Sequence, residues 1–278
     1  MNENLNRGYL LQPYRLFHST DRRDADFDAH SHTFHKMVFC LQGHVTYIME
    51  GNSYELQPGD VLLIPQRQIH RSILHGDAVY ERMILFVQDA YLRSFGEEAL
   101  LGPFSARDEE TALYRPSAPD RSRLLEKLQE MERCRQSRFP GAQLLQDTLL
   151  LKFLLELNVQ LQSRLLVPQG AVHTDPKVQQ ILSYINGHLQ ETLTVEQLAR
   201  QFYISKFHMM RLFRRETGTT VHLYITQKRL VKARELMDAG MRATEACYRC
   251  GWRSYSSFTR AYGKHLGTTP TGRMDAGQ

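Results

Sequence analysis

Short apolar or alternating segments separated by polar turns run from Lys36 to about Val87. Strands that are buried on one or both faces of a sheet have this pattern. The segments are MVFCL, VTYIM, YEL, VLLIP and RMILFV. Two turns, at 50–53 and 57–60, separate them at glycines that permit a positive φ. The pattern predicts an antiparallel sandwich or small barrel.

A helical period replaces this alternation after about residue 119. It predicts one helix from Asp120 to about Ser137 and a second from Pro140 to about Leu165. Asp120 is the expected N-cap of the first helix, and Pro140 fits the first turn of the second because its missing N–H is not needed there. The second helix also has an apolar seam, which suits either a partner chain in a dimer or the sheet of the same domain. The seam consists of Leu150, Leu154, Leu157 and Leu161.

An internal repeat marks the last third of the chain. The segment LARQFYISKFHMMRLFRRETGTT, from Leu198, matches ACYRCGWRSYSSFTRAYGKHLGTT, from Ala246. Each copy has a small residue in a short helix, an apolar residue at a turn, and a serine that can cap a second helix ending near glycine. This is the plan of a helix-turn-helix unit, and the second turn is one residue longer than the first. The equivalent pairs are Ala199 and Cys247, Ile204 and Trp252, and Ser205 and Ser254.

The exposed face of each second helix carries the candidate DNA contacts, because a recognition helix directs its N-terminal residues toward the bases of the major groove. An arginine there can pair bidentately with guanine, and apolar side chains can touch thymine methyl groups. Arg214, Arg215 and Lys264 lie further along and are candidates for phosphate contacts. The base-reading candidates are Phe207, Met210 and Arg211 in the first copy and Tyr255, Ser256 and Arg260 in the second.

The segment 224–239, YITQKRLVKARELMDA, connects the two units and is both basic and amphipathic. A rigid connection lets one chain address successive major-groove segments about 34 Å apart. Lys228, Arg229 and Lys232 are left for water or phosphate on its polar side. The residues expected to bury against the two units are Leu223, Ile225, Leu230, Ala233, Leu236 and Met237.

The net charge of +5 is divided unevenly along the chain. Residues 174–278 hold 16 Lys and Arg against 8 Asp and Glu, a net charge of +8, whereas residues 1–173 carry a net charge of −3. A basic region joined to a mildly acidic one favours one part that meets a polyanion and another with a different task. A solvated basic surface is the alternative that composition alone leaves open.

The repeat and its flanks resemble the AraC/XylS family of bacterial transcription regulators. The matching segments follow in order over about 100 residues: ILSYI from Ile181, LTVEQLA, SxxxMxRLF from Ser205, ETGTT, RLVKARELM, YRCGW, SSFTRAY and GTTP. The resemblance implies a seven-helix domain with two recognition helices. Two positions depart from the family pattern, since Gly272 replaces a usual tyrosine and Ala246-Cys247 a usual Ile-Ala pair. These departures predict looser packing or less selective binding by the second unit.

Histidines form the most distinctive polar pattern of the first region. The arrangement resembles a cupin, whose metal enzymes commonly use two histidines, a glutamate four residues after the second, and a later histidine. The corresponding residues are His30, His32, Lys36 and His70. An ammonium at position 36 repels a divalent cation, so no metal or other cofactor is expected. The four side chains are therefore the candidate site for a small polar or anionic effector, or else they satisfy local hydrogen bonds.

A chain of 278 residues suits two domains. We divide it into a cupin-like effector-binding and dimerisation domain at 1–165, a linker at 166–175 and a double helix-turn-helix DNA-binding domain at 176–278. No apolar segment has the features of a secretory signal or a membrane span. Four cysteines, at 40, 134, 247 and 250, form no disulfide framework, and Cys247 occupies a small-residue core position, so a cytoplasmic location is expected.

Taken together, these features predict a multi-domain α and β protein that regulates transcription and is not an enzyme. The hypothesis is a homodimer that binds double-stranded DNA in a sequence-specific way, more in keeping with an activator than a repressor. A small molecule in the barrel, a sugar or related metabolite being one candidate, would control it, and RNA polymerase is a further candidate partner. The alternatives are a metal-dependent cupin enzyme with an attached helical domain, and a DNA-binding protein whose barrel only oligomerises.

Overall fold

The computed structural model describes residues 10, 12–21, 29–76, 79–105, 112–135, 137–163, 171–173 and 175–271. Within these residues nine strands form two antiparallel sheets. The strands are β1 Tyr14–Asp21, β2 His35–Gln42, β3 Val45–Met49, β4 Asn52–Leu56, β5 Val61–Ile64, β6 His70–Leu74, β7 Tyr80–Val87, β8 Leu113–Tyr114 and β9 Ala171–His173. The five-stranded sheet has the order β1-β7-β2-β5-β8, and the four-stranded sheet has the order β6-β3-β4-β9.

The alternation within β2, HKMVFCLQ, explains how the two sheets form a barrel. Successive side chains of a strand point to opposite faces. Val38 and Cys40 pack between the sheets, where they meet Tyr47 of β3, whereas Met37 and Phe39 face the helices outside. The predicted antiparallel sandwich or small barrel is therefore confirmed.

Four strands, β1, β6, β8 and β9, fall outside the predicted ones. β1 buries only Leu16 fully, so its sequence lacks a clear apolar alternation, yet it pairs with β7 from Tyr14 opposite Val87 to Asp21 opposite Tyr80. β9 lies inside the predicted linker, where its backbone pairs with β4. Ladder hydrogen bonds join backbone groups, so an edge strand can form where the side-chain pattern gives little sign of one. The other predicted linker residues, apart from Asp175, lie outside the described residues.

Helix α1 Asp89–Arg93 follows β7, and helices α2 Ala118–Arg135 and α3 Ala142–Ser163 lie between β8 and β9. The two long helices were predicted, but both N-terminal assignments were wrong. Ser117 precedes α2 and accepts a hydrogen bond from the Asp120 backbone N–H at 3.4 Å, so Asp120 lies in the first turn. Pro140 lies before the start of α3, because Gly141, at φ +92°, separates it from the helix.

The leucine seam of α3 belongs to the core of its own domain. Leu150, Leu154 and Leu157 are fully buried against α2 and the outer face of the five-stranded sheet. Of the two possibilities for the seam, intramolecular packing is the one that the structure contains. A different set of apolar side chains on α3 points outward: Leu144, Leu145, Leu155 and Val159.

Six α-helices occupy residues 175–271. They are α4 Pro176–Gly187, α5 Val195–Gln201, α6 Lys206–Thr217, α7 Val221–Asp238, α8 Ala243–Arg249 and α9 Tyr255–Leu266. The first half of α7 packs with α4, α5 and α6, and its second half packs with α8 and α9. The seventh helix that the resemblance implies is not among these residues, and Gly272 and Arg273 lie outside the described part of the chain.

The two helix-turn-helix units have the predicted internal geometry. Ala199 and Cys247 are buried, and Ser205 and Ser254 cap α6 and α9. Both recognition helices end at a glycine in the left-handed conformation, Gly218 in the first unit and Gly267 in the second. The first turn reaches positive φ at Tyr203 (+55°), where the second has Gly251 (+78°).

Candidate nucleic-acid interface and effector cluster

The first recognition helix, α6, divides cleanly into a buried and an exposed face. Met209 and Phe213 are fully buried, whereas Phe207 is 78% exposed. Arg211 is exposed as well and has no hydrogen bond or ion pair within the described residues. The predicted base-reading side chains Phe207, Met210 and Arg211 therefore share an accessible face.

The second recognition helix, α9, presents a similar face with one difference. Ser256 and Arg260 are exposed, but Tyr255 is partly buried and lies 5.9 Å from the Phe258 ring, centroid to centroid. Tyr255 therefore helps to hold the start of α9 in place as well as bordering its outer face. Arg260 lies 49 residues after Arg211, as the repeat requires, so the two exposed arginines occupy equivalent positions on equivalent helices.

The candidate phosphate contacts lie at the C-terminal ends of these helices. Arg214, Arg215 and Lys264 are exposed, and Arg215 is paired with the adjacent Glu216. Arg214 and Lys264 line one cavity of about 620 Å³ together with barrel residues 29–31. Tyr203, which is 93% exposed in the turn before α6, was not among the residues predicted from the sequence. The sequence feature that could have indicated Tyr203 is a bulky residue at a turn position that is glycine in the second unit.

Two of the three cations of α7 that were expected to face water or phosphate are bound by other parts of the chain instead. Lys228 pairs with Glu50 of the barrel at 3.1 Å. Arg229 donates to the backbone oxygens of Leu189 and Glu191 at 2.9 and 2.6 Å, which joins α7 to the α4–α5 connection. Lys232 pairs with Glu235 at 3.1 Å. The expectation was wrong for Lys228 and Arg229, because their partners lie outside α7, whereas Lys232 is 53% exposed beside a residue of its own helix.

The predicted effector residues form a real cluster at one end of the barrel. The His70 ring lies 4.6 Å from that of His30 and 4.8 Å from that of His32, between centroids. Two backbone hydrogen bonds join His30 to His70 and bring the two segments together. His35, by contrast, points out of the barrel, where it bonds Asp89 at 3.1 Å and stacks on Phe104.

Hydrogen bonding fixes the tautomers of the two buried rings. Nδ1 of His32 lies 2.6 Å from the Phe34 carbonyl oxygen, and Nδ1 of His70 lies 3.0 Å from that of Gln68. A carbonyl oxygen only accepts, so each Nδ1 carries the proton and each Nε2 is left as an acceptor. Neither Nε2 has a partner within the described residues. Burial, followed by neighbouring charges that include Lys36, lowers the pKa of both imidazoles well below 6.5, so both are neutral.

Two cations lie near this cluster inside the barrel. The Lys36 ammonium is 5.6 Å from the Tyr47 ring centroid, and the Arg82 guanidinium is 4.3 Å from that of Tyr80. Arg82 also pairs with Asp21 at 2.7 Å. Burial and then the charge of Arg82 lower the pKa of Lys36 to about 7. Arg82 was not among the residues predicted from the sequence, although the alternation of β7 places it on the interior face with Ile84.

We expect the variant Lys36→Met to be more stable than the parent, because burying an ammonium opposes folding. The pKa of Lys36 is about 7 in the folded chain and near 10.5 in the unfolded chain. The unfolded state therefore binds more protons between these values, and the parent gains stability as the pH rises through this window. The gain from Lys36→Met should be about 1–3 kcal/mol at pH 6 and should shrink toward pH 10.

Urea unfolding at pH 6 and pH 9 measures this difference. The exposed Lys152, changed to methionine, is the matched control and should give no such pH dependence. A gain from Lys36→Met that stays constant over this range would contradict the buried ammonium, whose neighbours His32, His70, Tyr47 and Arg82 are unchanged in the variant.

Metal and thiol chemistry have little support in the described part of the chain. No group of three or more His, Cys, Asp or Glu side chains there has an arrangement that could hold a metal ion. Cys247 and Cys250 are both buried free thiols, and burial raises the pKa of Cys250 to about 11. A protonated thiol is a poor metal ligand and a poor nucleophile.

Comparison with known families identifies the class to which this architecture belongs. Residues 12–154 match the AraC-like ligand binding domain, and residues 198–273 match a helix-turn-helix domain. The chain belongs to the AraC family of transcription regulators. It is a DNA-binding regulator with an N-terminal ligand-binding domain. These matches favour a transcription regulator over a cupin enzyme.

Individual relatives are similar at modest identity. The transcriptional activator RhaS of Salmonella schwarzengrund (strain CVM19633) is 24% identical over 251 residues, which cover 88% of this chain and 87% of the relative. Among solved structures, ToxT of Vibrio cholerae is 13% identical with a TM-score of 0.39, and the match covers 93% of this chain and 96% of ToxT. The DNA-binding domain of AdpA, solved with a target DNA, is 26% identical with a TM-score of 0.34, over 35% of this chain and 88% of that one.

Proposed function

We propose that α6 and α9 read two consecutive major-groove segments of one DNA duplex. The observation that carries this proposal is the pair of exposed arginines, Arg211 and Arg260, at equivalent positions of two equivalent helices. Each would pair with a guanine, flanked by Phe207 and Met210 in the first helix. In the second helix the flanking residues would be Tyr255 and Ser256. Arg214, Arg215 and Lys264 would bind phosphates and set the register.

Helix α7 supports this proposal because it shares a core with each unit. Tyr224 and Ile225 pack with the first unit, and Leu230 and Ala233 pack with the second. A helix anchored at both ends holds the recognition helices at a fixed separation. A fixed separation selects DNA by the spacing of its half-sites as well as by their bases.

Selection of DNA from a random pool by the full chain tests this geometry. We expect two short conserved blocks whose centres are about 10 base pairs apart, one helical turn. Inserting 5 base pairs between the blocks moves one of them to the opposite side of the duplex and should cost most of the specific affinity. Inserting the same 5 base pairs outside the blocks is the control. Equal binding to both insertions, or recovery of a single block, would contradict the two-segment proposal.

The effector proposal rests on the cluster of His30, His32, Lys36 and His70. Two buried Nε2 acceptors and one ammonium donor in the same place can bind a small molecule that offers both hydroxyl donors and acceptor oxygens. A sugar or related metabolite has these groups. An effector of this kind controls DNA binding only through a different affinity for two states of the chain.

We further propose a cytoplasmic homodimer that acts as an activator, contacts RNA polymerase and catalyses no reaction. The outward apolar side chains of α3, among them Leu155 and Val159, support the dimer, since a second copy would cover them. The four free cysteines are compatible with a reducing compartment. No helix within the described ranges has both the length and the apolar character to cross a bilayer.

A further inference from the structure

Two loops of the barrel contact helix α7, and each does so through a non-glycine residue with a positive φ. Glu50 lies in the β3–β4 turn at φ +47°, and Arg67 lies in the β5–β6 loop at φ +71°. They are two of the three non-glycine residues with positive φ in the described chain. Backbone of this kind costs free energy and persists where surrounding contacts require it. In both cases those contacts include the helix that joins the two DNA-reading units.

Glu50 makes the more buried of the two contacts. Its carboxylate accepts from the Tyr224 hydroxyl at 2.6 Å, from the Lys228 ammonium at 3.1 Å and from the Ile69 backbone N–H at 2.8 Å. The Glu50 and Lys228 side chains are each only 17% exposed. A partly buried carboxylate that accepts three hydrogen bonds interacts more strongly than a surface ion pair. It also keeps Lys228 away from any DNA phosphate.

Arg67 makes the second contact, at the other end of the same helix. Its guanidinium pairs with Asp238 at 2.7 Å and lies 3.7 Å from Glu235. Beside the Glu50 contact, the Gln227 amide donates to the Ala29 backbone oxygen at 3.3 Å. The barrel therefore holds α7 in its first half and at its C-terminal end. We call the contacts of Glu50 and Arg67 with α7 the latch.

The latched arrangement also places the barrel beside two of the phosphate candidates. Arg214 and Lys264 line a cavity of about 620 Å³ whose other wall includes barrel residues 29–31. No Asp or Glu is among the described residues that line it. A DNA backbone that contacted both cations through this cavity would meet the barrel. Contact with Arg214 and Lys264 by that route requires the barrel to move away.

The effector cluster is built on the same loop as the latch. The Arg67 backbone N–H donates to the His32 carbonyl oxygen at 2.7 Å, and the Gln68 carbonyl oxygen accepts from His70. Ile69 and Glu50 exchange hydrogen bonds through the Ile69 backbone and the Glu50 backbone and side chain. A displacement of His32 or His70 is thus transmitted to Arg67 and Glu50 through directly bonded neighbours.

We propose that this structure is a closed state that excludes DNA. The contacts of Glu50 and Arg67 with α7 stabilise this state, and an effector bound at the histidine cluster breaks them. The proposal rests on the proposed DNA-binding function. The closed population sets the apparent DNA affinity, because only the open fraction of the chain binds. Weakening the latch without an effector therefore increases DNA binding.

The test uses full-length variants and a DNA selected from a random pool by the parent chain. We expect Arg67→Ala and Glu50→Gln each to bind that DNA about 5- to 30-fold more tightly than the parent, measured by fluorescence anisotropy without any added small molecule. Asp238→Ala changes an exposed helix end with little risk to folding, and it should give a gain in the same direction. Arg135→Ala, which removes an ion pair within α2, is the matched control and should leave affinity unchanged.

A double-variant cycle separates the latch from a general effect of charge. If Arg67 and Asp238 act through one contact, Arg67→Ala with Asp238→Ala binds no more tightly than Arg67→Ala alone. Unchanged or weaker DNA binding by the single variants, or fully additive gains, would overturn the latch while leaving the DNA-binding function intact. Failure of the parent chain and of every variant to retain any DNA from the pool would instead refute the proposed function.

Discussion

Replacing Arg211 or Arg260 by alanine should weaken binding to the selected DNA by roughly 5- to 150-fold each, since a bidentate arginine–guanine pair contributes about 1–3 kcal/mol of discrimination. Binding to random duplex DNA should change far less, because phosphate contacts dominate that affinity. Both arginines are exposed and unpaired within the described residues, so their removal leaves no buried group without a partner. Anisotropy titrations with both kinds of DNA, at one salt concentration, measure the two affinities.

Arg215→Ala is the matched control for this pair of variants. It lies on the same helix as Arg211, is exposed and is proposed to meet phosphate. We expect this substitution to weaken binding to both kinds of DNA by a similar factor and to reduce the salt dependence of binding. If Arg211→Ala and Arg260→Ala also lowered both affinities equally, base reading by these arginines would be refuted.

The recognition helices could be predicted from the sequence because their determinants are local. Ser205 and Ser254 cap helices that begin at the next residue, and Gly218 and Gly267 end them in the left-handed conformation. Each signal lies within one helix length of the structure it determines. The same reasoning placed Asp120 and Pro140 wrongly at helix starts, since the competing cap Ser117 and the turn at Gly141 lie only a few residues away.

The contacts between the two regions could not be predicted in this way. Glu50 and Tyr224 are 174 residues apart, and Arg67 and Asp238 are 171 apart. Nothing in the local pattern of either segment indicates its partner, and a charged residue in a turn usually faces solvent. The effector cluster lies between these cases. The resemblance to a cupin predicted that His30, His32, Lys36 and His70 form one site. Arg82 was identified only from the pairing of β7 with β2 in the structure.

Leu154→Asp should destabilise the chain by at least about 4 kcal/mol, because it removes a large buried side chain and introduces a charge without a partner. Leu154 is 0% exposed and packs in the core shared by α2, α3 and the five-stranded sheet. Urea unfolding, followed by circular dichroism, measures the loss. A loss below about 1 kcal/mol would contradict the assignment of the leucine seam to the core.

Val159→Asp, on the opposite side of the same helix, should behave differently. Val159 is 63% exposed, and a surface substitution there should change the free energy of unfolding by no more than about 0.5 kcal/mol. If the outward face of α3 forms the dimer, however, a carboxylate on that face is desolvated in both copies, and sedimentation should shift from dimer to monomer. If a stable Val159→Asp variant had the same sedimentation coefficient as a dimeric parent, this face would be excluded as the dimer contact. The two substitutions thus separate two roles of α3 that its sequence alone presents as one leucine-rich helix.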